Sequence, residues 1–294
     1  MQIITNGKVT AKIDEQGAEL RSLVIDGKEI CWQADPAYWG KTSPFLFPMV
    51  GCTKNNQTAI YGKIYPLGRH GFARDLAWTA ESFSNSAVFS LAQSDKTLSV
   101  YPYRFKLALA YRLLDNGVKL TYNVKNDSDD TMPYCIGAHP AFNCPLEQNG
   151  KFSDCKIVFE QAETVNSPVL DMSDGLWDGG NRVPRLFNER EFVLRHDLFD
   201  GDCVYFDTIK SRSALLTSDG THGVKVSWTG FTTLGVWTPD HKNAPFVCIE
   251  PWKGTNDYKD EITEAGVSAF ENKRDVELLP GGASREYAMT IELV

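Results

Sequence analysis

A histidine and a glutamate that lie far apart in the chain have surroundings that suit proton transfer. His139 lies in CIGAHPAFN, residues 135 to 143, directly before Pro140. A residue that precedes proline is pushed into an extended backbone conformation, so the imidazole leaves the chain in a restricted direction. With an ordinary pKa of about 6.5, an oriented histidine can act as a general acid or base. The alternative is a core histidine whose ring nitrogens are satisfied.

Glu250 presents the matching question for a carboxylate. It follows the apolar run FVCI, residues 246 to 249, and precedes Pro251 and Trp252. Partial desolvation at such a position would raise the pKa of the carboxyl toward the range of a general base. The alternative is a solvated glutamate at the end of a strand. Neither His139 nor Glu250 decides the function alone.

A third polar segment, LGRHGFARD at residues 67 to 75, crowds hydrogen-bond donors around Gly71. This segment could bind hydroxyl groups or an anion through Arg69, His70 and Arg74, or it could be a basic surface turn. The remaining histidines lie in polar surroundings and have no metal-ligand spacing: His196, His222 and His241. The three polar segments are therefore the candidate chemistry.

The elements that must position these segments show a period of two. In FKLALAYRL, residues 105 to 113, apolar and polar side chains alternate, as in a half-buried strand. VKLTYNVKN repeats the pattern after the turn signal Asp115-Asn116-Gly117, which predicts a β-hairpin. Further strands are predicted in VTAKI near the start, in VKVSW at 224 to 228 and in EYAMTIEL at 286 to 293.

Helical patterns are few, which favours an all-β protein of many antiparallel strands. Only PAYWG after Asp35 and NDYKDEITEAG at 256 to 266 suit short helices, so a parallel βαβ architecture is disfavoured. Residues from about 160 to 202 read as a loop-rich segment that decorates the scaffold. No linker or composition shift divides the chain, so we expect residues 1–294 to form a single domain.

Composition and charge restrict the class of protein. The formal net charge of −8 and a pI near 5.2 disfavour a nucleic-acid surface, which needs clustered Lys and Arg. We find neither a membrane-spanning apolar run nor a secretory signal, so we expect a cytoplasmic protein without a membrane partner. The seven cysteines include no C-x-x-C pair, so they predict buried free thiols rather than disulfides or a zinc site.

The ordered set RHGFARD, GAHPAFN and IEPWKG, in an all-β chain of this length, resembles the aldose 1-epimerase family, also called galactose mutarotase-like proteins. The likeness extends from FPMVG at 47 to 51 through EPWKG at 250 to 254. It implies a large antiparallel β-supersandwich with an open sugar cleft. It also implies a monosaccharide as the partner, and catalysis without a cofactor or metal.

The resemblance implies a role for each candidate residue. Glu250 removes the proton of the anomeric hydroxyl while His139 protonates the ring oxygen; the ring opens, the C1–C2 bond rotates, and closure gives the other anomer. His70 and Arg74 match ligands of the sugar hydroxyls. In FDGDCVYF, Asp202 is favoured over Asp200 as a further hydroxyl ligand because it directly precedes the strand-like CVYF. Two tryptophans either face the sugar ring or belong to the core: Trp237 and Trp252.

One departure from the family pattern bears on the substrate. Relatives often carry an arginine soon after the FPxVG-like segment, but here Cys52 occupies that place and Lys54 follows two residues later. The contact is either lost or supplied by Lys54. A hexose 6-phosphate is an alternative substrate, because four cations could converge on a phosphate: Lys54, Arg69, Arg74 and Lys253.

Two further functions compete with anomer interconversion. A non-catalytic carbohydrate-binding protein would keep the cleft but would need no acid and base pair. A lyase or hydrolase on a related sandwich is disfavoured, because a hydrolase normally needs carboxylates set roughly 5 to 9.5 Å apart, and no such pair is identified.

Overall fold

The computed structural model describes residues 1–147 and 150–294. Strands dominate this part of the chain, which confirms the all-β class. The strands are, in chain order, β1 (Gln2–Thr5), β2 (Val9–Ile13), β3 (Leu20–Ile25), β4 (Lys28–Glu29), β5 (Phe45–Leu46), β6 (Gln57–Ile60), β7 (Lys63–Pro66), β8 (Thr79–Ser82), β9 (Ser86–Ala92), β10 (Phe105–Leu114), β11 (Gly117–Asn126), β12 (Met132–Tyr134), β13 (Ile136–Ala138), β14 (Ala141–Asn143), β15 (Lys156–Asp171), β16 (Leu176–Val193), β17 (Val204–Phe206), β18 (Ser213–Thr217), β19 (Gly223–Thr229), β20 (Thr233–Trp237), β21 (Phe246–Lys253), β22 (Glu277–Leu279) and β23 (Ser284–Leu293).

Helical structure is short throughout the described ranges. The α-helix α1 spans Asp95–Val100. The 3₁₀ turns are Lys54–Asn56, Ala73–Asp75, Phe152–Asp154, His196–Phe199, Lys259–Glu261 and Phe270–Asn272. No helix found in these ranges has the length and apolarity needed to cross a membrane.

The largest sheet has nine strands in the order β16-β15-β18-β19-β23-β11-β10-β9-β8. Within it β10 and β11 pair antiparallel, with Phe105 opposite Asn126 and Leu114 opposite Gly117, which confirms the predicted hairpin. The apolar residues of β10 that share one face are buried, as the alternation predicts. The other predicted strands are also confirmed, as β2, β19 and β23.

A second sheet packs across the nine-stranded sheet and carries the candidate site. Its strands lie in the order β17-β20-β21-β13-β5, and β14 also pairs with β21. Aromatic rings join the two layers: Phe45 stacks on Tyr122 at 5.5 Å between ring centroids, and Phe159 meets Phe206 at 5.4 Å. The buried core that results draws on residues from Ile4 to Ile291. The single-domain organisation of residues 1–294 stays a prediction.

The prediction of a loop-rich segment from about 160 to 202 is wrong. Most of it forms the long antiparallel hairpin β15–β16 at one edge of the nine-stranded sheet. Four register shifts interrupt the pairing of the two strands. Each bulge moves the following side chains to the opposite face, so the alternation that identifies a strand is lost from the sequence.

The helix predictions are also largely wrong. PAYWG forms a turn in which the backbone N–H groups of Tyr38 and Trp39 both donate to the Asp35 carbonyl, and no further helical bond follows. Of residues 256 to 266, only Lys259–Glu261 make a 3₁₀ turn. The helix α1 was not predicted, because six residues are too few for a 3.6-residue period; a capping box between Ser94 and Thr97 starts it.

Candidate active site

Glu250 lies in the middle of a buried central strand. Every residue of β21 from Phe246 to Trp252 is buried, because β20 covers one edge of the strand and β13 and β14 cover the other. Opposite Glu250 on β20 is Gly235, which has no side chain to donate a hydrogen bond. The Glu250 side chain is 1% exposed, and neither of its oxygens accepts a hydrogen bond from a residue in the described ranges.

His139 reaches Glu250 because of the strand register. The pairs Gly137↔Trp252 and Ala141↔Cys248 belong to one antiparallel register, in which the residue opposite Glu250 is His139. Side chains directly opposite each other in such a pair share one face of the sheet. The His139 Nε2 accordingly lies 3.2 Å from the Glu250 Oε2.

Aromatic rings fix the orientation of the His139 imidazole. Trp39 stacks on it with 5.0 Å between ring centroids and 24° between ring planes, and Trp237 meets it edge-on at 5.7 Å. The His139 Nδ1 is buried and has no hydrogen-bond partner among the described residues. The imidazole is therefore held by packing on its faces, while Nε2 points at the carboxyl group.

Burial shifts the pKa values of His139 and Glu250 in the directions that favour their uncharged forms. Desolvation lowers the pKa of His139 to about 3, and the nearby positive charge of Arg74 and Arg69 acts in the same direction. Desolvation also raises the pKa of Glu250 well above its ordinary value, with the charge of Asp202 adding to the effect. We infer that near neutral pH the pair as a whole holds one titratable proton.

His70 provides a fixed hydrogen-bond donor beside this pair. The Gly51 N–H donates to the His70 Nδ1 at 3.0 Å, and the His70 N–H donates to the Gly51 carbonyl at 2.9 Å. Desolvation lowers the pKa of His70 well below its ordinary value, so the ring is neutral. Because Nδ1 accepts, the remaining ring proton is on Nε2. His70 holds φ at +64°, a strained conformation of the kind that accumulates at functional sites.

Asp202 lines the same cleft, whereas Asp200 does not. The Asp202 Oδ2 accepts a hydrogen bond from the Arg69 Nη2 at 2.7 Å, which leaves Oδ1 available to a ligand. Asp200 is half exposed and lies 3.3 Å from the exposed His241 ring. The structure therefore places in the cleft the aspartate that the sequence favoured.

Arg74 enters the cleft with few partners, while the other candidate cations are paired. Its Nη2 donates to the Arg69 carbonyl at 3.0 Å, its Nε is buried without a partner in the described chain, and the exposed Asp75 lies 3.7 Å away. The other three each meet a carboxylate: Lys54 with Asp174 at 3.3 Å, Arg69 with Asp202 at 2.7 Å and Lys253 with Asp275 at 2.5 Å. The structure therefore does not bring the four cations together on one phosphate, since only Arg69 and Arg74 line the cleft.

Several residues of the cleft were not predicted. Trp39 belongs to PAYWG, for which the sequence predicts only a short helix, and Trp177 lies on β16. Asn256 lines the cleft while its Oδ1 accepts the Cys52 N–H at 3.1 Å, so its amide N–H groups remain for a ligand. The two tryptophans considered from the sequence also line the cleft: Trp237 and Trp252. Relatives often carry an arginine where this chain has Cys52. Lys54 pairs with Asp174 and so does not supply the contact of that arginine.

Comparisons with known proteins agree with this architecture. The sequence profile of the aldose 1-epimerase family matches residues 1–272. The chain is 35% identical over 260 residues to the chromosomal protein LacX of Lactococcus lactis subsp. lactis, which covers 85% of this chain and 87% of that protein.

Two solved structures are similar over essentially their whole length. A galactose mutarotase related enzyme from Lactobacillus acidophilus has 30% identity and a TM-score of 0.91, covering 100% of this chain and 97% of that one. A galactose mutarotase-like protein from Lactobacillus casei ATCC 334 has 32% identity and a TM-score of 0.90, covering 100% of both chains. The resemblance seen in the sequence is thus confirmed: the chain belongs to the aldose 1-epimerase family.

Proposed function

We propose that the protein is an aldose 1-epimerase that interconverts the α and β anomers of an unphosphorylated hexose such as glucose or galactose. The observation that carries the proposal is the buried contact of 3.2 Å between the His139 Nε2 and the Glu250 Oε2. The anomeric hydroxyl and the ring oxygen of a pyranose are bonded to the same carbon. An acid and a base that act on both must therefore converge on one point, as these two side chains do.

The proposed mechanism moves one proton in each direction. The Glu250 carboxylate takes the proton of the anomeric hydroxyl while the His139 Nε2 gives a proton to the ring oxygen, and the C1–O5 bond breaks. The open aldehyde rotates about C1–C2, and closure on its other face reverses both transfers. Ring opening ends with a protonated carboxyl and a neutral imidazole, which are the forms that burial favours.

The demands on the site are modest. General acid–base catalysis contributes roughly 10² to 10⁴-fold for a positioned group, so two groups and an oriented sugar suffice without covalent chemistry. We assign the His70 Nε2–H, the Arg74 guanidinium and the Asp202 carboxylate to the sugar hydroxyls, since each presents a free polar group to the cleft. These contacts hold the sugar so that its C1 atom lies against His139 and Glu250.

Polarimetry on freshly dissolved α-glucose and α-galactose tests the proposal. The protein should speed the approach to anomeric equilibrium well beyond the buffer rate for at least one of these hexoses. If the sugars bind but no aldose tried equilibrates faster than in buffer, the protein is a non-catalytic carbohydrate-binding protein. An unphosphorylated substrate is favoured over a hexose 6-phosphate because only Arg69 and Arg74 of the four cations line the cleft, while Lys54 and Lys253 pair with carboxylates elsewhere.

Asp202→Ala is predicted to weaken sugar binding without slowing the chemical step. A lost hydrogen bond to a charged group costs about 1.5–3 kcal/mol, so KM should rise roughly 10- to 100-fold while kcat stays near the parent value. Asp200→Ala is the matched control, because Asp200 pairs with His241 outside the cleft. Equal KM values for the two variants would contradict the assignment of Asp202.

The one titratable proton of the pair predicts a bell-shaped dependence of kcat/KM on pH. Activity falls in acid when the pair gains a second proton and in alkali when it loses its last one. Since burial lowers the pKa of His139 to about 3 and raises that of Glu250, the acid limb should lie well below the ordinary histidine value and the alkaline limb well above the ordinary glutamate value. An acid limb at about pH 6.5 would instead indicate a histidine that titrates as in water.

A further inference from the structure

Three buried side chains of different chemistry converge where Cys248 adjoins the proton-transfer pair. A ring nitrogen of His139, the Cys248 Sγ and a carboxylate oxygen of Glu250 lie within 4.8 Å of one another. Cys248 and Glu250 are two residues apart on β21 and so face the same side of the sheet. Cys248 also pairs with Ala141, two residues after His139. We propose that this cluster binds a thiophilic divalent cation such as Zn²⁺ or Cd²⁺, which inhibits the enzyme.

The distances suit such an ion after small side-chain rotations. Bonds from Zn²⁺ to nitrogen, oxygen and sulfur are about 2.0 to 2.3 Å, so tetrahedral ligand atoms lie roughly 3.4 to 3.6 Å from one another. The His139 Nε2 and Glu250 Oε2 are already 3.2 Å apart, and no separation in the cluster exceeds 4.8 Å. The three side chains supply three ligands and leave a fourth position on the side of the cleft.

Unpaired polar atoms within the cluster also indicate a ligand. Glu250 is 1% exposed and His139 is 7% exposed, yet both Glu250 oxygens and the His139 Nδ1 lack a hydrogen-bond partner in the described part of the chain. Leaving a buried carboxylate unpaired is costly, so an ion that binds a Glu250 oxygen together with one ring nitrogen of His139 stabilises the site. No Lys or Arg in the described ranges forms an ion pair with Glu250 that would oppose the ion by direct contact.

The charges and the ligand types favour a thiophilic ion over Mg²⁺ or Ca²⁺. A divalent cation with one thiolate, one carboxylate and one neutral imidazole forms a complex of zero net charge, which suits a buried position. Binding releases the thiol proton, and the carboxyl proton where it is present, to solvent. Thiolate and imidazole ligands prefer zinc-like ions, whereas Mg²⁺ and Ca²⁺ prefer oxygen ligands alone.

Inhibition rests on the proposed function, but ion binding does not. An ion held by His139 and Glu250 occupies the lone pairs that the proton transfers need, so anomer interconversion stops while the ion is bound. The ion site can be detected without a sugar, because a Cd²⁺–thiolate bond absorbs in the ultraviolet. Failure of this inference can thus be told apart from failure of the proposed function.

The test titrates Cd²⁺ into the parent protein, Cys248→Ala and Cys203→Ala, with Mg²⁺ as the comparison ion. Cys203 is the matched control, since its Sγ also lies beside Glu250, across Gly235, but it is not part of the cluster. Each protein is measured for Cd²⁺–thiolate absorbance and for its anomerisation rate relative to its own metal-free rate.

We expect the Cd²⁺–thiolate absorbance band to have the same intensity in the parent and in Cys203→Ala. In Cys248→Ala the band should be weaker by the contribution of one thiolate. The Cd²⁺ concentration that halves the rate should rise at least ~10-fold in Cys248→Ala, since changes even to outer-shell partners cost 10–100-fold in metal affinity. Mg²⁺ at the same concentrations should leave the rate unchanged. Equal Cd²⁺ sensitivity of the parent and Cys248→Ala, or equal thiolate bands, would overturn the proposal.

Discussion

Glu250→Gln should lower kcat for anomer interconversion by about 10²- to 10⁴-fold, the usual contribution of a positioned general base. Glutamine keeps the shape of the side chain but cannot accept the proton of the anomeric hydroxyl. Burial raises the pKa of Glu250 and so favours its uncharged form. Because the amide of glutamine is also uncharged, the melting temperature should be at or above that of the parent. Polarimetry and thermal unfolding measure the two effects separately.

The partner residue provides the control for this prediction. His139→Gln should cause a loss of similar size, and the double variant should be scarcely slower than either single variant, because groups that act as a unit are strongly non-additive. Losses that multiply in the double variant would show that the two side chains act independently. A Glu250→Gln protein with the parent rate would contradict the role of Glu250 as base.

Lys273→Met should lower the free energy of unfolding by about 3–5 kcal/mol, because it leaves a buried carboxylate without its counter-charge. Lys273 and Asp257 form an ion pair in which both side chains are completely buried. Asp257 also accepts hydrogen bonds from the Ser268 hydroxyl at 2.8 Å and from the Lys54 N–H at 2.8 Å. The pair therefore ties the segment after β21 to the loop that carries Gly51.

An exposed ion pair offers the matched control for this stability prediction. Lys259 pairs with Asp171, and these side chains are 41% and 35% exposed. Lys259→Met should change the free energy of unfolding far less than Lys273→Met does, because exposed ion pairs contribute little to stability. Urea denaturation of both variants measures the difference. Equal stabilities would mean that the buried pair contributes no more than the exposed one.

Much of the fold could be predicted from local patterns, but not where bulges interrupt them. The β10–β11 hairpin was visible because uninterrupted alternation and the Asp115-Asn116-Gly117 turn agree with each other. The β15–β16 hairpin was missed because its register shifts four times, which removes the alternation. Short helical turns such as α1 depend on one capping box rather than on a repeating stripe.

The types of the site residues could be predicted, whereas their convergence depends on strand register. Proline after His139 and the apolar run before Glu250 marked both residues in the sequence. That they face each other follows only from the pairing of Ala141 with Cys248 and of Gly137 with Trp252, which a local pattern does not contain. The stacking of Trp39 on His139 is likewise a long-range contact.

Exchange NMR on a hexose at anomeric equilibrium tests the central claim most directly, because it observes the interconversion itself and needs no freshly dissolved anomer. With a catalytic amount of the parent protein, cross-peaks should join the α and β anomeric resonances on a timescale at which buffer alone gives none. Cross-peaks that persist unchanged in the His139→Gln and Glu250→Gln variants would contradict the account. So would their absence with the parent and every aldohexose tried.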